Sequence, residues 1–411
     1  MRILLLNDDC LPESRGGVAV VTDFLRTGFT ASGHEILTIT THQSSTRPNE
    51  EVWEDGRGKV MSFFKAPVGS DVHRRSIKHS VLTERIRQIA QEFRPDVAHA
   101  HNVHNYLGYH ALSAVQSATD HIFLTAHDTF LVSFGRVAGK RYERSALADK
   151  PYRMHWWEHV QAAKRAYSPT RNSRIKRILK QTGTKVIVYT HAMQSFLEAN
   201  GITNTVFIPS GIPPFTCPDP QTVDAFRRRV DIEEPTILYG ARISADKGIH
   251  VFLEAAEQVY RELPTAFFLI AGDRERIEPS LTHITPELRA RIKMMGWMPY
   301  EELQIAYAAS TVITTPSVYL DNFPTINLEA MRMGKPVVGT CFGGTPEAVL
   351  DQQTGYIVNP HDTKEYAHAL LTLLKDPVLA NQLGMNGKKR IDDEFSLDQH
   401  IQKHLDLFKN P

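Results

Sequence analysis

At 411 residues the chain is too long for one ordinary hydrophobic core, and two domains are the simplest count. Its 42% hydrophobic and 23% charged content excludes wholesale disorder and fibrous structure. A formal net charge of +1 lacks the strongly basic balance that nucleic-acid binding leaves.

The first apolar run, residues 3–6, is shorter than a signal peptide or membrane span requires and predicts a buried strand. Nowhere do about 18 apolar residues follow one another, so any membrane contact is expected to be peripheral. Strand-like runs continue with ILTITT, DVAHAHN at 96–102, HIFLTAHD at 121–128 and KVIVYT at 185–190. Amphipathic stretches separate them, which implies right-handed βαβ crossovers and a mostly parallel sheet. A second set, TILYGAR, AFFLIAGD, VITTPS, PVVGT and GYIVN, repeats the pattern. The expected fold class is therefore α/β, with two doubly wound, Rossmann-like domains.

Between the sets, the proline-rich SGIPPFTCPDPQ at 210–221 predicts the linker, because proline breaks helices and restricts the residue before it. At the end, Leu397, Ile401, Leu405 and Phe408 recur at helical spacing and predict an amphipathic helix over 395–408. Residues 136–180 break the rhythm with thirteen Lys or Arg against three Asp or Glu, interleaved with Tyr142, Tyr152, Trp156, Trp157 and Tyr167. A solvated helical insertion is the plainer expectation; contact with an anionic acceptor or membrane is the other. Cys10, Cys217 and Cys341 are odd in number and lack metal-site spacing, which points to a reducing, cytoplasmic setting.

Chemistry concentrates in PSVYLDNFPTINLEAMRMGKPVVGTCFGGTPEAV at 316–349. Asn322 is expected to cap a helix, Pro324 to sit in its first turn, Gly334 to end it and Pro336 to stop it. Its start would offer backbone N–H groups to a phosphate. Asp321 and Glu329 would then lie roughly 8–9 Å apart along the axis, suited to gripping two separated sets of hydroxyls. Upstream, YGARISADKG at 239–248 brings Arg242 and Lys247 after a strand, where two cations can neutralise a diphosphate without a metal.

In combination these motifs resemble the retaining glycosyltransferase family 4, whose fold is GT-B, and the resemblance covers nearly the whole chain. ARISADKG matches the family's GRL-x3-KG pattern, Asp321 through Glu329 its Glu-x7-Glu, and Gly343, Gly344, Thr345, Pro346 and Glu347 its GG-x-PE. Asp321 stands where the family usually has glutamate, and Ala241 where it usually has glycine.

The resemblance implies two domains, 1–212 and 213–394, with the helix at 395–411 returning to the first. It implies that Arg242 and Lys247 bind the diphosphate of a nucleotide-sugar, Asp321 the sugar hydroxyls and Glu329 the ribose. Phe323, Pro324 and Thr325 would bring backbone to the sugar and phosphates, beside Gly343, Gly344 and Glu347. In the first domain it assigns Gly16 and Gly17 to an anionic ligand and His127 to the transferred sugar. His101 and Asn102 are acceptor-side candidates.

The implied reaction moves a hexose from a UDP- or GDP-sugar to a glycan, lipid-linked or small-molecule acceptor, with retention and without metal or other cofactor. His99 and His101 have the alternate spacing of a strand face and His104 follows them, but no acidic or cysteine partner stands at ligand spacing, so no metal site is expected. A GxGxxG turn after the first strand is missing, which argues against a dinucleotide oxidoreductase. An epimerase or phosphorylase on the same fold and a non-catalytic sugar-binding scaffold are the alternatives. The site is expected in the cytoplasm, with the basic 136–180 stretch able to reach an anionic inner membrane face.

Overall fold

The structure, a computed structural model, describes residues 1–11, 14, 16–67, 69–135, 140–145, 151–233 and 235–411. Residues 136–139 and 146–150 of the basic stretch thus lie outside the described residues. The chain divides into two compact units: residues 1–140, 151–210 and 397–411 form one, and residues 141–150 and 211–396 the other.

Unit 1 holds eight strands: β1 (Arg2–Leu6), β2 (Glu35–His42), β3 (Glu50–Asp55), β4 (Gly58–Phe64), β5 (Val97–Ala100), β6 (Ile122–Thr125), β7 (Lys185–Val188) and β8 (Thr205–Phe207). They form one sheet in the order β3-β4-β2-β1-β5-β6-β7-β8. Every pairing is parallel except β3 with β4, an antiparallel hairpin turned at Gly56 to Gly58. Central strands such as β1 and β5 are buried on both faces, which is why they read as continuous apolar runs.

Unit 2 holds β9 (Thr236–Tyr239), β10 (Phe267–Ala271), β11 (Ile292–Gly296), β12 (Val312–Thr315), β13 (Val337–Thr340) and β14 (Gly355–Val358). This sheet is wholly parallel, in the order β11-β10-β9-β12-β13-β14. Its core buries Ile237, Tyr239, Phe252, Phe268 and Ile270 with Tyr366 and Leu370 of the helix Thr363–Lys375. Two doubly wound α/β units are therefore present, the GT-B architecture. The ten apolar runs of the sequence are all strands; β3, β4, β8 and β11 are additions to them.

The helix Leu397–Lys409 belongs to unit 1, where its apolar stripe meets the helix Gly17–Ala31 and the sheet. Phe408 packs on Phe29 and Phe123, at ring-centroid distances of 5.7 and 4.9 Å. Its polar members are unusual for a core. His404 lies 5.4 Å from His99 and 4.4 Å from His400, and His99 lies 4.2 Å from His101. His400 takes the Pro209 carbonyl at 2.7 Å and His404 the His400 carbonyl at 2.9 Å. Tyr189 edges onto both His400 and His127.

Burial, then the neighbouring imidazoles, hold His99, His101 and His400 well below the usual histidine range. Burial lowers His404 to about 4, partly offset by its bond to the His400 carbonyl. The unfolded chain binds protons near pH 6.5 that these folded histidines refuse, so stability falls as pH drops. We expect urea-unfolding stability to be fully present above about pH 6.5 and to be lost progressively toward pH 4. His404→Leu should flatten that slope; an unchanged slope would show that His404 does not carry the linkage.

Candidate functional site

Three loops leave neighbouring strands at the carboxyl edge of the second sheet, the place where open α/β sheets take ligands. Residues 240–248 follow β9, residues 316–324 follow β12 and residues 341–344 follow β13, and these strands are adjacent in the order β9-β12-β13. Two glycines allow the loops to touch. Gly248 has φ +71°, and a Cβ there would lie 1.8 Å from the Pro316 carbonyl oxygen. Gly343 has φ +62°, and a Cβ there would lie 2.1 Å from the Asp321 carbonyl oxygen. Only glycine meets both demands, the left-handed backbone and the missing side chain.

The contact brings motif residues together. Lys247 Nζ pairs with the Asp321 carboxylate, whose Oδ2 also accepts the Ser317 hydroxyl at 3.1 Å. Lys247 further lies 5.2 Å over the Tyr319 ring. Tyr239, at the end of β9, points its hydroxyl at the carbonyls of Arg242 and Lys247, at 3.3 and 3.2 Å, and so holds the loop that carries both cations. Arg242 pairs with Asp246 at 3.4 Å in a largely exposed position.

The helix after β12 is Thr325–Arg332, with Pro324 in the cap position and no side-chain cap. Asn322 therefore does not cap it, contrary to the expectation from sequence. Pro324 disfavours helical geometry for Phe323, so the helix starts no earlier than the proline, and Pro324 itself, expected in the first turn, has extended geometry and stands as the cap residue. Gly334 ends the segment at φ +69° as expected. Phe323 turns its ring onto Phe395, at 5.5 Å, which leaves backbone as its contribution to the loop.

Glu329 is buried in this helix and accepts the Tyr307 hydroxyl at 2.6 Å. Burial raises its pKa, opposed by hydrogen bonds from Tyr307 and Thr325. Beyond β13, the Gly344 N–H donates to the Asp321 carbonyl at 2.8 Å, and the Gly343 N–H donates to the Tyr142 hydroxyl at 2.8 Å. Glu347 stands in the first turn of the short helix Thr345–Ala348, and Arg390 holds the Glu347 and Ala348 carbonyls at 3.0 and 3.1 Å.

Unit 1 presents a separate cluster at the carboxyl ends of β5 and β6. His101 Nδ1 and His127 Nε2 are 2.8 Å apart. With Asn102, His104, Tyr109 and Phe130 they border a small pocket. Burial pushes His127 down to about 3, so its ring is neutral at physiological pH. Asp8, at the end of β1, accepts the backbone N–H groups of Asn105, Tyr106 and Leu107 at 2.6, 3.1 and 2.8 Å, and fixes the loop that follows His104. Burial raises Asp8 to about 7, against the lowering effect of those N–H groups.

Gly16 and Gly17 open the helix Gly17–Ala31 in exposed positions, with nothing within 4 Å of a Cβ placed on Gly17. Beside His104, Arg171 departs from the solvated insertion expected over 136–180: it is fully buried, donating to the Phe130 and Ser133 carbonyls. Among the described residues no group of three metal-ligating side chains is arranged around a common point.

Two family models match, Glyco_transf_4 (Glycosyltransferase Family 4) over residues 15–214 and Glycos_transf_1 (Glycosyl transferases group 1) over residues 221–390. The chain belongs to the group 1, family 4 glycosyltransferases. Glycogen synthase of Mycobacterium tuberculosis is 25% identical over 421 aligned residues, 96% of this chain and 91% of that protein. Alpha-maltose-1-phosphate synthase of Mycolicibacterium smegmatis is 28% identical over 51% of this chain and 55% of its own length. The chain thus spans about half the length of that curated relative.

Among solved structures, sucrose-phosphate synthase of Thermosynechococcus elongatus shares the fold with a TM-score of 0.77 and 20% identity, covering 100% of this chain and 98% of that one. HepE of Anabaena, crystallised with UDP and glucose, shares it with a TM-score of 0.75 and 19% identity over 100% of both chains.

Tyr142 and Tyr307 are the site members that motif reading passes over. A tyrosine carries no spacing signal, and their partners lie 201 and 22 residues away. For Tyr307 the consequence is measurable. Tyr307→Phe leaves the buried Glu329 oxygen without its donor, and we expect a loss of roughly 1–3 kcal/mol of unfolding free energy in urea. Unchanged stability would mean that another group satisfies the carboxylate.

Proposed function

We propose that the chain is a retaining glycosyltransferase that moves a hexose from a UDP- or GDP-sugar to a glycan, lipid-linked or small-molecule acceptor. The observation that carries this reading is the Lys247–Asp321 pair beside Gly343, at the carboxyl edge of β9, β12 and β13. A cation and a hydroxyl-binding carboxylate stand together there, on a loop surface that leads into a helix N-terminus. A relative named for GDP-mannose and structures solved with UDP or UDP-glucose support the donor class.

In this mechanism Lys247 and Arg242 take the diphosphate, with the start of the helix Thr325–Arg332 adding its positive dipole end. Asp321 exchanges its internal cation for sugar hydroxyls, and Glu329 takes the ribose. The bond between the anomeric carbon and the diphosphate oxygen breaks as the acceptor oxygen bonds to that carbon on the same face. The departing diphosphate receives the acceptor proton. Retention without an enzymatic nucleophile is supported by the other tasks of the two motif carboxylates: Asp321 is assigned to sugar hydroxyls, and Glu329, held by Tyr307, to the ribose. The preorganised cations make a metal unnecessary. In unit 1, His127 is assigned to a sugar hydroxyl, His101 and Asn102 to the acceptor, and Gly16 and Gly17 to an anionic group.

The setting we propose is cytoplasmic, supported by the odd number of cysteines, Cys10, Cys217 and Cys341, and by their lack of metal-site spacing. No described helix is long and apolar enough to cross a membrane. Peripheral contact with an anionic membrane is supported by the helix Trp156–Ala163, which exposes Trp156, Trp157 and Val160 beside Arg153, Lys164 and Arg165.

A thermal-shift panel of UDP, GDP and ADP should stabilise the protein with one base above the others, and NMR of the product should show the anomeric configuration of the donor. An inverted product, or activity abolished by a chelator, would overturn the mechanism. Lys247→Ala is expected to lower kcat by roughly a hundredfold or more; an unchanged kcat would reduce it to a structural ion-pair partner. Replacing both Trp156 and Trp157 with Ser should reduce cosedimentation with anionic lipid vesicles, and equal cosedimentation would remove the membrane contact.

A further inference from the structure

Tyr142 lies in sequence between stretches of unit 1, yet its segment, residues 141–150, belongs to unit 2. It is 1% exposed, and its ring packs 5.6 Å from that of Phe342. Its hydroxyl accepts the Gly343 N–H at 2.8 Å. The next amide, Gly344, is already held by the Asp321 carbonyl. The two glycine amides of the GG-x-PE loop are therefore both engaged within the protein, one by backbone that shapes the loop and one by a side chain.

That difference matters chemically. The Asp321 carbonyl is part of the loop surface, and its bond to Gly344 survives any ligand that leaves the loops in place. A tyrosine hydroxyl sits at the end of a side chain that rotation can withdraw, and its oxygen accepts a hydrogen bond in the same way as a sugar hydroxyl. An N–H carries a single hydrogen, so an oxygen of the ligand and the Tyr142 hydroxyl compete for it. The helix that presents Tyr142, Lys140–Arg144, has five residues, too few to be stable without its side-chain docking. Releasing Tyr142 therefore disturbs local contacts and leaves the sheet and its core intact.

Resting on the sugar-donor site proposed above, we infer that Tyr142 is an internal occupant of that site: its hydroxyl holds the Gly343 N–H that an oxygen of the nucleotide-sugar takes, and binding displaces it. The resting protein thus binds its donor with an affinity reduced by the fraction of molecules in which Tyr142 is docked.

The test is calorimetric titration of wild type and Tyr142→Phe with UDP, GDP, UDP-glucose and GDP-mannose. Phenylalanine keeps the ring against Phe342 and frees the amide, so the dissociation constant should fall roughly 2- to 10-fold, the range of one hydrogen bond. A gain already seen with the diphosphate identifies the displacing oxygen as phosphate; a gain confined to the nucleotide-sugar identifies it as a sugar hydroxyl. Equal or weaker binding by the variant overturns the inference and leaves the donor site standing, whereas failure of both proteins to bind any of the four overturns both.

Hydrogen exchange on the wild-type protein gives an independent reading. The peptide spanning residues 140–145 should exchange faster when the ligand is bound, and unchanged or slower exchange overturns displacement even where the variant fails to fold.

Discussion

Close backbone approach between loops is the constraint on which the second unit's site rests. Gly248 lies against Pro316 and Gly343 against Asp321, and in each pair a Cβ would stand about 2 Å from a carbonyl oxygen. The strands beneath supply the register: β9, β12 and β13 are parallel and adjacent, so their carboxyl-terminal loops emerge side by side. Removing side chains at two points then lets three loops become one surface. Lys247 and Asp321 meet because of this, although 74 residues separate them.

Charge in that surface is arranged in two grades. Arg242 with Asp246 is an exposed pair, the kind that adds little to stability and reorients readily toward a stronger anion. Lys247 with Asp321 is mostly shielded from water, with side-chain exposures of 17% and 11%. Leaving either member alone there would be costly, so each offsets the burial of the other. Glu329 is more deeply buried, and Tyr307 supplies the hydrogen bond that a carboxylate in such a place requires.

How much of this was legible in the sequence follows from what each feature leaves as a trace. Ten strands were visible because parallel strands buried on both faces read as apolar runs. The hairpin of β3 and β4 was not, since β3 alternates exposed and half-buried residues and carries Glu50, Glu51, Glu54 and Asp55. β8 has only three residues, and β11, with its sequence IKMMG, has a single buried member, Ile292. In the site, the glycines and the charged motif residues announced themselves by type and spacing. Tyr142, Tyr307 and the buried Arg171 did not, because each acts through a partner brought close only by folding.

The histidine cluster of unit 1 shows why a strand-face pattern of ligating residues need not mean a metal. His99 spends one nitrogen on Thr125 at 2.7 Å, and His400 and His404 bond backbone carbonyls. Burial keeps the rings neutral, so they serve as compact aromatic side chains with one donor and one acceptor each. At the edge of this cluster, His101 Nδ1 and His127 Nε2 share a hydrogen bond in which one nitrogen donates and the other accepts. His127 therefore has Nδ1 as the remaining ring nitrogen for a ligand, and the tautomer of His101 sets whether that nitrogen offers a proton or a lone pair. A substitution at His101 would accordingly release the constraint on the His127 tautomer.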